Sequence, residues 1–588
     1  NNSPSGTVAI AHRGEVIFAK GYGYQDVEEG IPVRVDETLF RPGSVSKLFT
    51  WVAVMQLVEQ GKLDLDTDVN EYLETFQIED SWPEPITLRH IMTHTAGFED
   101  GGLGYLIVDD PANTIPLAEA MAKYQTLRVN PPGAQTAYSN YATALAGLIV
   151  ANASGESFND YIKRHIFEPL AMSQSSFEEP LPEALADHMA ASYKLEAGAF
   201  LEKPFEIVAS FGPAGALSST ATDMLRFAEA IRNGGALEGQ RILAEETVTT
   251  MLAPAFSHDD RLMGMALGFY ANNLNGNRVM GHGGDTQWFH SVLGIDQGHE
   301  LSVFASFGGS GGSAVRSALL PALYDKFFPR AHTSSRPGSG EPVNRYAGSY
   351  GFWRVNFSNV EKAMGLAGGL TIAPGPDNSL TLIMGPGAKQ YREIDDNLFE
   401  EISSQIALPG GLAPRRIAFQ ENPSGEITGF VLDDLPFMST RKLALYETQA
   451  FNLGLLGLSA LLFIGVLARC FFQRRELAHW AAADRSAYRA AVFSSAAHLI
   501  TLVGAILVLP IVVENMMVGI PQSFKLWLWL PISASLTSLW LLYACVRVWL
   551  GGLFAGLFAR LRFSIVTAAS LFMLWFYYFW NFLGFQYF

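Results

Sequence analysis

Apolar and polar positions alternate at the start of the chain. Val8-Ala9-Ile10 and Val16-Ile17-Phe18 flank a turn at Arg13-Gly14, a pattern that predicts a β-hairpin. Helical patterns follow at Ser44–Glu59, Tyr138–Ala153 and Ala221–Arg232, and strand-like runs return at Val279-Met280, Phe289–Gly294 and Leu301–Phe307. Strands at both ends with helices between them predict an α/β domain over residues 1–330 whose first and last strands meet in one sheet. The stretch Ala331–Glu341 is rich in Ser, Pro and Gly, so a linker is expected over 331–345. Short apolar runs broken by turn clusters such as Pro374–Asn378 and Asn422–Gly425 then predict a small β-barrel-like domain over 346–446. No internal repeat is visible.

The periodicity changes once more after Tyr446. Four apolar stretches, Phe451–Ala468, Ala490–Val513, Leu526–Val546 and Ile565–Phe585, each approach the ~20 residues that cross a bilayer core. A four-helix transmembrane domain over 447–588 is expected. The first connection carries Arg469, Arg474, Arg475, Arg485 and Arg489, and the third carries Arg547, Arg560 and Arg562. The second holds Lys525 against Glu514. Positive loops stay in the cytoplasm, so residues 1–446 are expected on the far side of an inner membrane, in a periplasm or an equivalent space. Of the polar groups within the spans, His498 reads as isolated and Glu514 as lying at a membrane edge, which favours an anchor over a transport path.

Charge sharpens this division. The 588 residues carry 40 Lys/Arg and 57 Asp/Glu, but from Tyr446 onward nine basic residues face four acidic ones, leaving a net of −22 on the rest. That acidity excludes a nucleic-acid-binding surface. Cys470 and Cys545 both lie in the apolar tail, so neither a disulfide framework nor a Cys-based metal site is expected in the soluble part. The chain begins at Asn1, directly on a strand-like run, and an export signal upstream of it is expected.

Candidate chemistry begins at Ser44-Val45-Ser46-Lys47, which follows Pro42-Gly43 and opens a helical pattern. Residues three apart share a helix face, so Lys47 can reach the Ser44 hydroxyl, and the positive end of the helix favours a developing oxyanion. Ser-x-x-Lys recurs at Ser439–Lys442, and Tyr138-Ser139-Asn140 has a double at Tyr270-Ala271-Asn272. Order along the chain therefore has to discriminate.

In that order the sequence resembles the serine β-lactamase and penicillin-binding-protein superfamily over nearly all of Gly6–Phe307. The resemblance rests on Ser44–Lys47, Tyr138–Asn140 and His282-Gly283-Gly284, in the family's sequence of Ser-x-x-Lys, Tyr-x-Asn and Lys/His-x-Gly. Gly21–Tyr24, Ile86–Gly97, Pro132-Gly133 and Gly215–Thr220 leading to Asp223 add to it. The resemblance implies an antiparallel sheet flanked by helices, with a helical subdomain. It also implies an acyl-enzyme on Ser44, proton transfer shared by Lys47 and Tyr138, and substrate binding by Asn140, His282 and Gly284. The oxyanion hole would be formed by the backbone N–H groups of Ser44 and Asp285. His282 stands where true β-lactamases commonly carry Lys, and an imidazole holds a substrate carboxylate less firmly than an ammonium would.

His90 and His94 are spaced i, i+4, but no Glu completes an H-E-x-x-H pattern, so neither a metal nor another cofactor is expected. Asp285 and His290 either touch substrate or cap local structure, while Trp288 and Phe289 read as pocket wall or core. The leading expectation is a membrane-anchored hydrolase of a small-molecule, lipid or peptide substrate, an esterase or a D-amino-acid-type or prodrug-maturing peptidase. A membrane sensor acylated once on Ser44 is the alternative. The cytoplasmic loops, about twenty residues at their longest, leave little room for the effector that a sensor needs.

Overall fold

The N-terminal alternation folds as β1 (Ser5–His12) and β2 (Glu15–Asp26), joined through Arg13 and Gly14, both at positive φ. The computed structural model describes residues 2–329, 342–406, 408, 413–515 and 518–587. β1 also pairs antiparallel with the last strand of the domain, β7 (Leu301–Gly308), setting Val8 opposite Ala305. With β3 (Ile31–Pro32), β4 (Tyr270–Leu274), β5 (Asn277–Asp285) and β6 (Phe289–Asp296), the order across the sheet is β4-β5-β6-β7-β1-β2-β3. The two ends of the domain thus share one sheet, and the helical residues lie between them in sequence.

Helix α1 (Lys47–Glu59) runs through the interior. From Thr38 to Leu57 every residue is buried except Ser44. A helix apolar on all sides belongs inside a domain. Phe49 of α1 stacks on Phe227 of α3 (Ala221–Arg232) at 4.0 Å, and α2 (Asn140–Ser154) packs alongside α1. α4 (Gly312–Phe327) packs on β6 and β7.

Eight further strands form a nearly closed antiparallel barrel: β8 (Gly348–Phe352), β9 (Leu370–Pro374), β10 (Leu380–Met384), β11 (Gly387–Asp395), β12 (Leu398–Ile406), β13 (Arg416–Glu421), β14 (Ile427–Leu432) and β15 (Thr440–Lys442). They follow the order β14-β13-β12-β11-β10-β9-β8-β15. The ends approach each other where Phe430 N–H donates to Thr440 Oγ1 at 2.8 Å. Tyr346, Tyr350, Phe399, Phe419 and Phe430 fill the interior. Ala331–Glu341 of the expected linker lies outside the described residues. Its last residues are not linker, because Val343–Tyr346 forms a 3-10 turn whose Val343 and Tyr346 join the barrel core.

The barrel and the first domain belong to one compact unit, comprising residues 1–100, 106–354 and 370–442. They are stitched together along Thr136–Tyr138. Tyr138 N–H donates to Phe437 O at 3.0 Å, and Ser439 N–H donates to Thr136 O at 2.9 Å. His258 adds a bridge between Thr136 and Gln420.

The second unit comprises 101–105, 355–369 and 443–588. Its helices α5 (Gln449–Phe472), α6 (Ala482–Asn515), α7 (Gln522–Leu550) and α8 (Leu557–Phe579) are each long and apolar enough to cross a membrane. α8 starts and stops earlier than the apolar run Ile565–Phe585 suggests. Asn581 turns to positive φ, and its amide donates to the carbonyls of Phe357 and Asn359. Hydropathy registers the aromatics beyond Phe579 without registering that turn. His498 is not isolated: Nδ1 meets the Tyr577 hydroxyl at 3.1 Å, and Nε2 meets Ser538 and Ser570 at 2.9 and 3.0 Å. Phe463 stacks on its ring, so all four helices converge on this residue and its polar atoms are satisfied inside the bundle.

Candidate active site

Ser44 lies in a 3-10 turn, Gly43–Ser46, that runs directly into α1. The turn is pressed against the end of β5. A Cβ on Gly43, which has φ +55°, would lie 2.8 Å from Asp285 N, and one on Gly284 would lie 1.9 Å from Pro42 O and 2.9 Å from Ser44 N. Ser44 and Asp285, whose backbone N–H groups are the expected oxyanion hole, thus lie in the two segments that touch here. Gly284→Ala must push the strand away from the turn. It is expected to lower stability by about 1–3 kcal/mol and to abolish activity, read by thermal unfolding and by ester hydrolysis.

Lys47 is fully buried. Its Nζ lies 2.6 Å from Ala214 O, 2.8 Å from Asn140 Oδ1 and 3.3 Å from Ser44 Oγ. Burial holds its pKa well below the ordinary lysine value, the nearby Arg354 charge adds to this, and Asp100 opposes it. A neutral amine has two hydrogens and one lone pair. Asn140 Oδ1 and Ala214 O accept from Nζ at the shorter distances, and Ser44 Oγ is the third atom within its reach, where the lone pair of a neutral amine would face it. Asn140, the first residue of α2, is fixed by the Ser139 N-cap and by its own N–H, which donates to Asp100 Oδ1 at 3.2 Å.

Tyr138 stands across from Lys47, whose Nζ is 5.0 Å from the ring centroid. Its hydroxyl is buried without a hydrogen bond of standard geometry. Burial raises the phenol well above its usual range, while the Arg354 charge and a polar contact with Ser44 lower it. His94, at positive φ, lays its ring 4.4 Å from that of Tyr138, while His90 belongs to the capping box at Thr87.

His282, on β5, has its ring 6.0 Å from that of Tyr138. Burial, reinforced by Lys47, pushes its pKa down to about 3, so the imidazole is neutral throughout the working range. Nδ1 pairs with Gly283 O and therefore carries the proton, which leaves Nε2 as a buried acceptor without a partner. The third motif thus presents a lone pair rather than a cation. Asp285 turns its side chain away to His290 (2.6 Å) and Arg316 (2.7 Å), which hold its pKa down against the raising effect of burial. Beyond Gly281, β4 no longer pairs with β5, and side chains take over that side of Gly283: its N–H donates to the Tyr270 hydroxyl and its carbonyl accepts from His282 Nδ1.

The residues singled out in the sequence, Ser44, Lys47, Tyr138, Asn140, His282, Gly284 and Asp285, thus meet in one place. The duplicate motifs do not. Ser439 bonds Gln135 and Thr136, and Tyr270 receives the Gly283 N–H. Asp223 is structural, accepting from Gln174 N–H and Ser175 Oγ. Three contributors carried no sequence signal: Asp100, Arg354 and Phe437. Arg354 and Phe437 come from the barrel, and the Phe437 ring lies 5.6 Å from Tyr138 and 4.8 Å from Tyr270.

A buried lysine at a serine that alone reaches solvent, on a turn facing a glycine-rich strand, defines a serine hydrolase of the β-lactamase fold. The Beta-lactamase family profile matches residues 1–324, and the chain belongs to that family. Among its relatives, the Bacillus subtilis protein PbpX, named as a penicillin-binding protein, is 30% identical over 273 residues, covering 45% of this chain and 62% of that one. The Protein flp of Staphylococcus aureus (strain N315) is 28% identical over 33% of this chain and 38% of its own length. The chain thus spans less than two thirds of either relative. A β-lactamase of Yersinia enterocolitica is 27% identical over 48% of this chain and 69% of its own length. In fold, the crystal structure of SurE matches 75% of this chain and 95% of its own at a TM-score of 0.53 and 21% identity.

Proposed function

We propose that this is a membrane-anchored hydrolase that cleaves esters or amides of small or peptide substrates through an acyl-enzyme on Ser44, outside the cytoplasm. The observation that carries the reading is the buried Lys47 Nζ, held by Asn140 Oδ1 and Ala214 O with Ser44 Oγ 3.3 Å away, so that as a neutral amine it has its lone pair left for the Ser44 hydroxyl. Lys47 takes the Ser44 proton as Oγ attacks the carbonyl. The Ser44 and Asp285 N–H groups receive the oxyanion. Tyr138, with its hydroxyl unpaired, relays a proton to the leaving group, and water then releases the acid.

The neutral His282 supports a substrate class. Its free Nε2 repels a carboxylate and accepts from an N–H or O–H, which favours neutral esters and amides over penicillins. The basic connections between α5 and α6 and between α7 and α8 support a cytoplasmic location for those loops and an outward hydrolase domain.

The test uses the full chain in detergent micelles with a fluorophosphonate probe, p-nitrophenyl esters, D-amino-acid amides and a penicillin. Labelling of Ser44 with many turnovers on esters or amides is expected. Stoichiometric labelling without turnover would make the protein a sensor instead, and the absence of labelling would remove Ser44 from the mechanism.

A further inference from the structure

Arg354 lies just beyond β8 of the barrel, where the neighbouring Trp353 N–H donates to Ser439 O at 3.0 Å. Its guanidinium carbon sits 4.5 Å from the Tyr138 ring centroid, and its Nε donates to Asp100 Oδ2 at 2.9 Å. The other oxygen of Asp100 accepts the Asn140 N–H, so a single carboxylate ties the barrel's cation to the residue that orients Lys47. Guanidinium stays charged at any working pH, and its plane suits an aromatic face.

We propose that Arg354 is a positioning residue of the catalytic machinery: its guanidinium, laid on Tyr138 and held by Asp100, supplies the fixed charge that keeps Lys47 and Tyr138 in their proton-poor, Ser44-accepting form. The inference rests on the acyl-enzyme reading above. Removing one proton from the Lys47–Tyr138 pair leaves either a neutral amine or a phenolate, and a nearby cation favours both outcomes. Burial alone does not produce this bias, since it drives Lys47 toward the amine but Tyr138 toward the phenol.

The surrounding charges leave that role to Arg354. His94 and His282 are held neutral by burial. Asp285 and Arg316 pair with each other, and Tyr270 is pushed up to about 12 by burial. Asp100 opposes Arg354, but its effect on both Lys47 and Tyr138 is the smaller. Where the third motif has a neutral imidazole, the barrel thus delivers a permanent cation from another direction.

The test measures kcat/KM against pH on an uncharged ester, with the fluorophosphonate labelling rate in parallel, for the full chain and for Arg354→Met, Arg354→Lys and Asp100→Asn. In Arg354→Met the acidic limb should rise by about one pH unit, costing about tenfold in rate below the limb and converging on the wild type above it. Arg354→Lys should restore most of the profile, and Asp100→Asn should move the limb down. A uniform loss at every pH, or an unmoved limb, would overturn the proposal, as would a defect confined to carboxylate-bearing esters. If Arg354→Met does not fold, the near-wild-type limb of Arg354→Lys and the downward shift in Asp100→Asn decide, and an unmoved limb in Asp100→Asn overturns the proposal. Failure of the wild type to label at Ser44 would instead count against the nucleophile.

Discussion

Ser44→Ala should remove fluorophosphonate labelling and reduce ester turnover by about 10⁴–10⁶-fold, with the fold intact. The side chain is partly exposed in a stretch that is otherwise buried, and it meets Lys47 Nζ at 3.3 Å and the Tyr138 hydroxyl. Its loss removes one oxygen at the edge of the core and leaves Lys47 its bonds to Asn140 and Ala214, so the unfolding midpoint should stay near that of the wild type. The oxyanion donors belong to the backbone and survive the substitution, so a residual rate from substrate binding and polarisation should remain measurable. Labelling of the alanine variant at another residue would refute the assignment.

Lys47→Met should cost about 10²–10⁴-fold in labelling and turnover, and raising the pH should not recover it. It should also change how stability depends on pH. Lys47 has a lowered pKa in the folded state and an ordinary one near 10.5 when unfolded, so between the two values the unfolded chain binds the extra proton. Folding stability from this group therefore rises with pH across that interval, and the burial penalty is full below it. The methionine variant lacks this component. Its unfolding midpoint should gain on the wild type most on the acidic side, and the difference should shrink as the pH approaches 10.5. Parallel curves for the two proteins would mean that Lys47 is not buried as a neutral amine.

The parts of the site that the sequence displayed are those held together by local geometry or by order along the chain. Ser44 and Lys47 lie one helical turn apart, and Tyr138 and Asn140 bracket an N-cap, so spacing alone brings their side chains together. Strand alternation and helical periodicity likewise exposed the sheet, the barrel and the four apolar helices. What stayed hidden depends on contacts between distant segments. Nothing in a single sequence links Arg354 or Phe437 to Tyr138, because the link is a docking of one β-sheet domain against another. The neutrality of His282 follows from burial, and the partners of His498 come from three other turns of chain. Residue type reveals neither.

The docking of Phe437–Ser439 on Thr136–Tyr138 also sets a timetable. The nucleophile is translated before the clasp, since the backbone partners of Thr136 and Tyr138 follow them by some 300 residues. From Ser44 to Ser439, synthesis at ~5–20 residues per second takes about 20–80 s. Throughout that interval the nascent chain carries its serine and lysine while the tyrosine loop still lacks its clasp. The first apolar helix, beginning at Gln449, follows the clasp within ten residues. Completion of the site and the arrival of the first membrane-length helix are thus nearly simultaneous events in the life of the polypeptide.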